Sequence, residues 1–220
     1  MGVLLMLMTI GGLFAAFVLL AFSLLSGKAW LRNFVFGGVT IWLVFYAMML
    51  VGFSVLSEEK TLAPNEAKEF CGFYLDCHLH TAVTAVRKTK AIGDKTAKGE
   101  FYIVKVNVFS NAKNPSVATR LVGPTASVQD EAGNIYLRDT EAESFLPTAE
   151  ISLNRDVKKN ISFDKEMVFD LPVNVTRPRL DISEGWAIDK AIETVLIGDE
   201  DSILHKRKLF DLAAFEIAVK

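Results

Sequence analysis

Acidic side chains are absent from the first 57 residues, and only two basic ones, Lys28 and Arg32, occur there. The other 22 Lys and Arg and all 26 Asp and Glu follow Ser57, so the average composition describes neither part. The charged part carries a net −4, which is no footprint for DNA or RNA, since nucleic acid calls for Lys and Arg clustered on one face. Catalytic spacings are missing as well. The chain has no G-x-S-x-G elbow, no H-E-x-x-H, no phosphate-binding loop and no dinucleotide fingerprint, so no residue is nominated as catalytic and the chain reads as a non-enzyme. Covalent haem is excluded because Tyr74 stands where C-x-x-C-H needs its first cysteine, and an EF-hand is excluded for want of D-x-D-x-D-G.

What the first 57 residues do have is apolar length. Val3 to Leu25 and Phe34 to Leu56 are each long enough to cross about 30 Å of hydrocarbon at about 1.5 Å per residue. A cleaved signal peptide is the alternative for the first stretch, but residues 1–10 carry no basic side chain. Lys28 and Arg32 both fall in the short connection Ser26 to Asn33, and Glu58 and Glu59 follow the second stretch. The positive-inside bias therefore puts the connection in the cytoplasm and both termini outside. The Gly11-Gly12 and Gly37-Gly38 pairs suit close helix approach, and Trp42 and Tyr46 suit either interfacial anchoring or helix packing. Spans without ionisable residues in their interior anchor or pack; they do not conduct.

Residues 58–70, with Pro64, read as a juxtamembrane linker, and residues 71–220 as one extracytoplasmic domain. Alternating or β-branched runs predict strands at 82–90 and 100–109, a hairpin from Ala126 to Leu137 turning at Gly133, a strand over 161–171, and short strands at 180–182, 194–197 and 207–213. Seven or so short strands without long helices between them indicate an all-β, immunoglobulin-like antiparallel sandwich behind a two-helix transmembrane hairpin.

The order KGEFYIVKVNVFSNAKN (98–114), VQDEAGNIYL (128–137) and MVFDLP (167–172) resembles a family of bacterial membrane-tethered or lipid-anchored immunoglobulin-like domains of unknown function, loosely called telomere-repeat-binding-factor-like. The resemblance covers roughly residues 82–200. Asp130, Gly133 and Tyr136 supply its D-x-x-G-x-x-Y hairpin, and Phe169 to Pro172 its F-D-x-P strand end. It implies a fold and is silent on activity; two spans and a Cys/His-rich segment depart from its usual single anchor.

That segment, CGFYLDCHLH (71–80), holds both cysteines and two of the three histidines. Cys71, Cys77, His78 and His80 are ligand types that suit copper or zinc, although C-x5-C is not the usual structural-zinc spacing. Outside the cytoplasm a Cys71–Cys77 disulfide with no cofactor is the default expectation, and copper or zinc the alternative. In IGDEDSILH, the carboxylates of Asp199, Glu200 and Asp201, with His205, suit a hard cation or a solvated interaction loop. The whole reads as an accessory or interaction subunit in a bacterial inner membrane. It meets lipid, and its partner is expected to be a larger respiratory or photosynthetic membrane complex.

Overall fold

A computed structural model describes residues 2–72, 76–215 and 218–219. The chain divides into two compact units: residues 1–58 with 187–207, and residues 59–186 with 208–220.

In the first unit, helices α1 (Gly2–Ser26) and α2 (Ala29–Val55) form a hairpin, each long and apolar enough to span a membrane. The reversal is built by Gly27 at φ 67°, which lets the Lys28 amide reach back to the Ser23 carbonyl at 3.1 Å while Ser23 Oγ donates to the Lys28 carbonyl at 2.7 Å. Between the helices, Trp42 Nε1 donates to Thr9 Oγ1 at 3.0 Å; along them Thr9, Ser23, Val35, Leu50 and Ser54 are buried. Trp42 thus serves helix packing. The expected glycine contacts are absent: no neighbouring atom lies within 4 Å of where a Cβ would stand on Gly11, Gly12, Gly37 or Gly38.

The second unit is a β-sandwich. Its strands are β1 (Lys60–Leu62), β2 (Ala67–Gly72), β3 (Asp76–Ile92), β4 (Lys95–Ser110), β5 (Ala118–Thr119), β6 (Thr125–Gln129), β7 (Ile135–Leu137), β8 (Val157–Lys158), β9 (Ser162–Leu171), β10 (Arg179–Ser183), β11 (Lys208–Asp211) and β12 (Ala218–Val219). One sheet runs β1-β11-β10-β6-β7 and the other β12-β3-β4-β9, with β2 also on β3; β5 and β8 pair separately. Residues 58–70 are therefore no linker. Lys60 to Leu62 pair in parallel with Lys208 to Phe210, and Ala67 to Phe70 pair with Leu79 to Ala82. Polar composition suggested a tether because edge strands show water one face: Leu62 and Phe70 are buried while Thr61 and Glu69 are exposed.

Alternation along β4 explains the layers. Tyr102, Val104, Val106 and Val108 enter the core between the sheets, with Val128, Phe169 and Phe210. Phe101 and Ile103 face the other way into a second core with Ile92, Val168 and Leu146, roofed by the short helix α3 (Thr140–Glu143) and the loop after it. Each such side chain, fully buried, contributes about 1.5–3 kcal/mol.

The two sequence motifs are structural devices. Asp130 accepts from the Asn134 amide at 2.9 Å, Asn134 Nδ2 at 2.8 Å and Tyr136 OH at 2.9 Å, and Gly133 at φ 84° turns the chain between them. These hydrogen bonds, the Asn134 side chain first, hold the Asp130 carboxyl below its usual range. Asp170 accepts from the amides of Lys98 and Gly99 at 2.8 and 2.9 Å, clasping the end of β9 to the start of β4. A Cβ on Gly99 would strike the Leu171 carbonyl.

Candidate functional site

Cys71 and Cys77 are joined in a disulfide that closes the tip of the β2–β3 hairpin beside the Gly72–Asp76 pair. Phe73, Tyr74 and Leu75 lie outside the described residues. The bond consumes both thiols, so the copper or zinc set of Cys71, Cys77, His78 and His80 loses its sulfur donors. The two histidines have other surroundings: His78 Nδ1 is 2.8 Å from Asn111 Oδ1, and His80 is buried and stacks on Phe109 at 5.2 Å between ring centroids. Nothing in this geometry favours metal at the segment. A disulfide points instead to an extracytoplasmic domain.

The acidic segment is built differently from its sequence reading. Residues 194–197 are not a strand. Helix α4 (Ala187–Glu193) runs into helical turns in which the amides of Thr194, Val195 and Leu196 bond back to Lys190, Ile192 and Glu193. β-Branched residues promised a strand, but these local hydrogen bonds use the amides a sheet would need. Gly198 at φ 82° reverses the chain, and Ser202 Oγ ties the following loop to the carbonyls of Leu196 and Asp199 at 2.5 and 2.8 Å.

This path brings Asp199 and Asp201 to Glu193, with the three carboxylates lying within 4.8 Å of one another. Glu193 was missed in the sequence because its neighbours arrive only through the turn at Gly198; Glu200 and His205 do not join the group. His205 Nδ1 lies 2.9 Å from the Lys206 carbonyl, and Arg207 pairs with Asp201. Burial, then the negative charges of Asp199 and Asp201, push the Glu193 carboxyl up to about 7; burial also raises Asp199. Three convergent carboxylates can hold a shared proton or offer hard oxygen ligands.

The same segment is tied to the helical hairpin at three points. Tyr46 OH donates to the Val195 carbonyl at 2.7 Å, the Lys206 amide donates to Ser57 Oγ at 2.9 Å, and the Ile197 backbone abuts Gly2 so closely that a Cβ there would clash. In the sandwich, Asn107, Phe109, Ser110, Asn160, Ile161 and Ser162 line an open hollow of about 400 Å³.

No family model matches the chain, and no curated protein does. Its β-sandwich is similar in solved structures to a secreted Mycobacterium tuberculosis protein, MPT63, at 10% identity and TM-score 0.46, with 70% of this chain and 98% of that one covered. A conserved hypothetical protein from Bacillus anthracis matches at 18% identity and TM-score 0.38, over 58% of this chain and 93% of that one. An uncharacterized β-sandwich protein from Clostridium difficile matches at 6% identity and TM-score 0.36, over 71% and 95%.

Proposed function

We propose that this chain is a non-enzymatic accessory or interaction subunit, held in a bacterial inner membrane by a two-pass helical hairpin and presenting its sandwich on the extracytoplasmic side. The observation that carries the reading is the Cys71–Cys77 disulfide in a domain that directly follows two helices free of acidic residues. A disulfide persists in an oxidising compartment, and charge-free spans anchor and do not conduct. Lys28 and Arg32 at the hairpin turn favour a cytoplasmic connection. The resemblance to membrane-tethered immunoglobulin-like domains supports the same reading, in which the partner is a larger membrane complex, respiratory or photosynthetic.

Topology and chemistry are tested together on the full chain in a bacterial host. Protease added to spheroplasts is expected to degrade the sandwich, and the denatured, unreduced protein is expected to show no free thiol. A protected sandwich with two free thiols would place the domain in the cytoplasm and end the proposal. Native electrophoresis in mild detergent then tests for a complex heavier than the chain itself.

A further inference from the structure

We infer that residues 187–207 form an interfacial membrane segment, in which Ile188, Val195, Ile203 and Leu204 dip into the outer leaflet beside the helical hairpin. The inference rests on the reading that α1 and α2 cross the membrane, and it adds a third lipid-contacting element to them.

The first support is position. The Trp42–Thr9 bond fixes the register of the antiparallel helices, so Gly2, seven residues before Thr9, lies roughly level with Met49. From there α2 continues to Val55, about 9 Å further at about 1.5 Å per residue. The outer end of α1 is thus a step below the outer end of α2. Residues 195–197 occupy that step: Ile197 closes on Gly2, and the Val195 carbonyl takes the hydroxyl of Tyr46, about 14 Å along the helix from Val55. At about 40 Å, α2 exceeds about 30 Å of hydrocarbon by only about 10 Å, so residues 195–197, about 9–14 Å below its outer end, stand at or just inside the acyl boundary and not in bulk water.

The second support is surface. Ile188 is 71% exposed, Leu204 65%, Ile203 47% and Val195 46%, whereas Leu196 and Ile197 are buried. At the α2 end, Phe53, Val55 and Leu56 are exposed too. Leu204 holds φ 64°, a left-handed conformation that bulky residues avoid, and the loop fixes it there through the Ile203 amide to the Thr194 carbonyl and the His205 amide to the Ser202 carbonyl, both 3.0 Å. A strained backbone that leaves a leucine outside its own protein is explained by a medium that receives the leucine. Polar residues follow directly in sequence, Asp189 and Lys190 after Ile188 and His205, Lys206 and Arg207 after Leu204, as suits a headgroup boundary.

The test uses the full chain in lipid nanodiscs. With the native cysteines closed as a disulfide, Ile188→Cys, Ile203→Cys or Leu204→Cys each supplies a single thiol for a small environment-sensitive fluorophore. Phe17→Cys, within α1, reports the span, and Lys113→Cys, exposed in a sandwich loop, reports water. Lipids spin-labelled near the headgroup are expected to quench the labels at 188, 203 and 204 several-fold more than the label at 113, and aqueous iodide several-fold less. If the three labels follow the one at 113 while the label at 17 is quenched by lipids spin-labelled deep in the acyl chain, the segment stands in water, its apolar face awaits a protein, and the inference is overturned with the anchor reading intact. A label at 17 quenched by iodide and not by lipid overturns both.

Discussion

Glu143 is 4% exposed and serves three groups at once. Its carboxylate receives Arg138 through two bonds of 2.9 and 2.5 Å, accepts from the Val168 amide at 3.1 Å, and lies 3.8 Å from Lys165 Nζ. Lys165 is itself 3% exposed, and its remaining ligands are the carbonyls of Thr148 and Ala149 at 2.9 and 3.2 Å. Glu143→Ala would strand a buried ammonium and leave a buried amide unpaired. Breaking a buried pair costs about 3–5 kcal/mol; Arg138, a quarter exposed, can turn to water, which argues for about 3. Against a total of about 5–15 kcal/mol for a domain, that is a large fraction. Burial already pulls the Lys165 pKa below its usual value, and the Glu143 charge opposes that pull. Without Glu143 the folded-state pKa falls further. An ammonium with a depressed folded pKa destabilises fully below that pKa, and the penalty lifts as pH rises toward the unfolded value. The defect in Glu143→Ala is therefore expected to shrink at alkaline pH. Urea unfolding of the full chain in detergent, followed by the β-sheet circular dichroism signal, measures both effects. Adding Lys165→Met should recover most of the loss, the coupling being read from a double-mutant cycle. A Glu143→Ala protein within about 1 kcal/mol of the parent, at every pH, would refute the reasoning.

Other outcomes follow from the same structure. Replacing Cys71 and Cys77 by serine opens a loop six residues apart and is expected to lower stability by about 2 kcal/mol, read as the difference between the variant's and the unreduced parent's urea midpoints. Because Glu193 is raised from 4.5 to about 7, its proton favours the folded state below pH 4.5, and that contribution disappears as pH rises through about 7. Asp189, Asp199 and Asp201 act with it and Arg207 pairs with Asp201; after allowance for solvent screening the effect is at most about 1 kcal/mol, and Glu193→Gln should flatten the melting profile across that range. Gly99→Ala, which drives a methyl into the Leu171 carbonyl, is expected to cost on the order of 2–3 kcal/mol, and Asp170→Asn to cost less, by thermal melting of either variant.

Periodicity and turn chemistry made the long strands legible: the predicted 100–109 lies within β4, 161–171 almost coincides with β9, and the Gly133 hairpin stands where the sequence puts it. Edge strands were not legible, since β1 borrows its order from Lys208 to Phe210, almost 150 residues away, and shows only one apolar side chain of three. Spacing alone did not separate the disulfide from the metal site, and only the inferred compartment favoured the disulfide; the antiparallel pairing of β2 and β3, which brings the two Cα atoms to 3.9 Å, supplies the geometry the sequence lacked. Glu193 was invisible for the opposite reason. Its partners are close in sequence, but a helix end and a positive-φ glycine fold them together, and no periodic pattern marks such a corner.

Many anchored ectodomains hang from one stalk, and a single proteolytic cut sheds them. Here residues 187–207 belong to the same compact unit as the helical hairpin, while the strands on either side of them, β10 and β11, belong to the sandwich. The chain therefore passes between the two units three times, near residues 58, 186 and 207. Cutting the first passage breaks the one covalent link between the helices and the rest of the chain, yet the other two still join the sandwich to residues 187–207, which hydrogen-bond to the hairpin at Tyr46 and Ser57, so release requires that docked segment to let go as well.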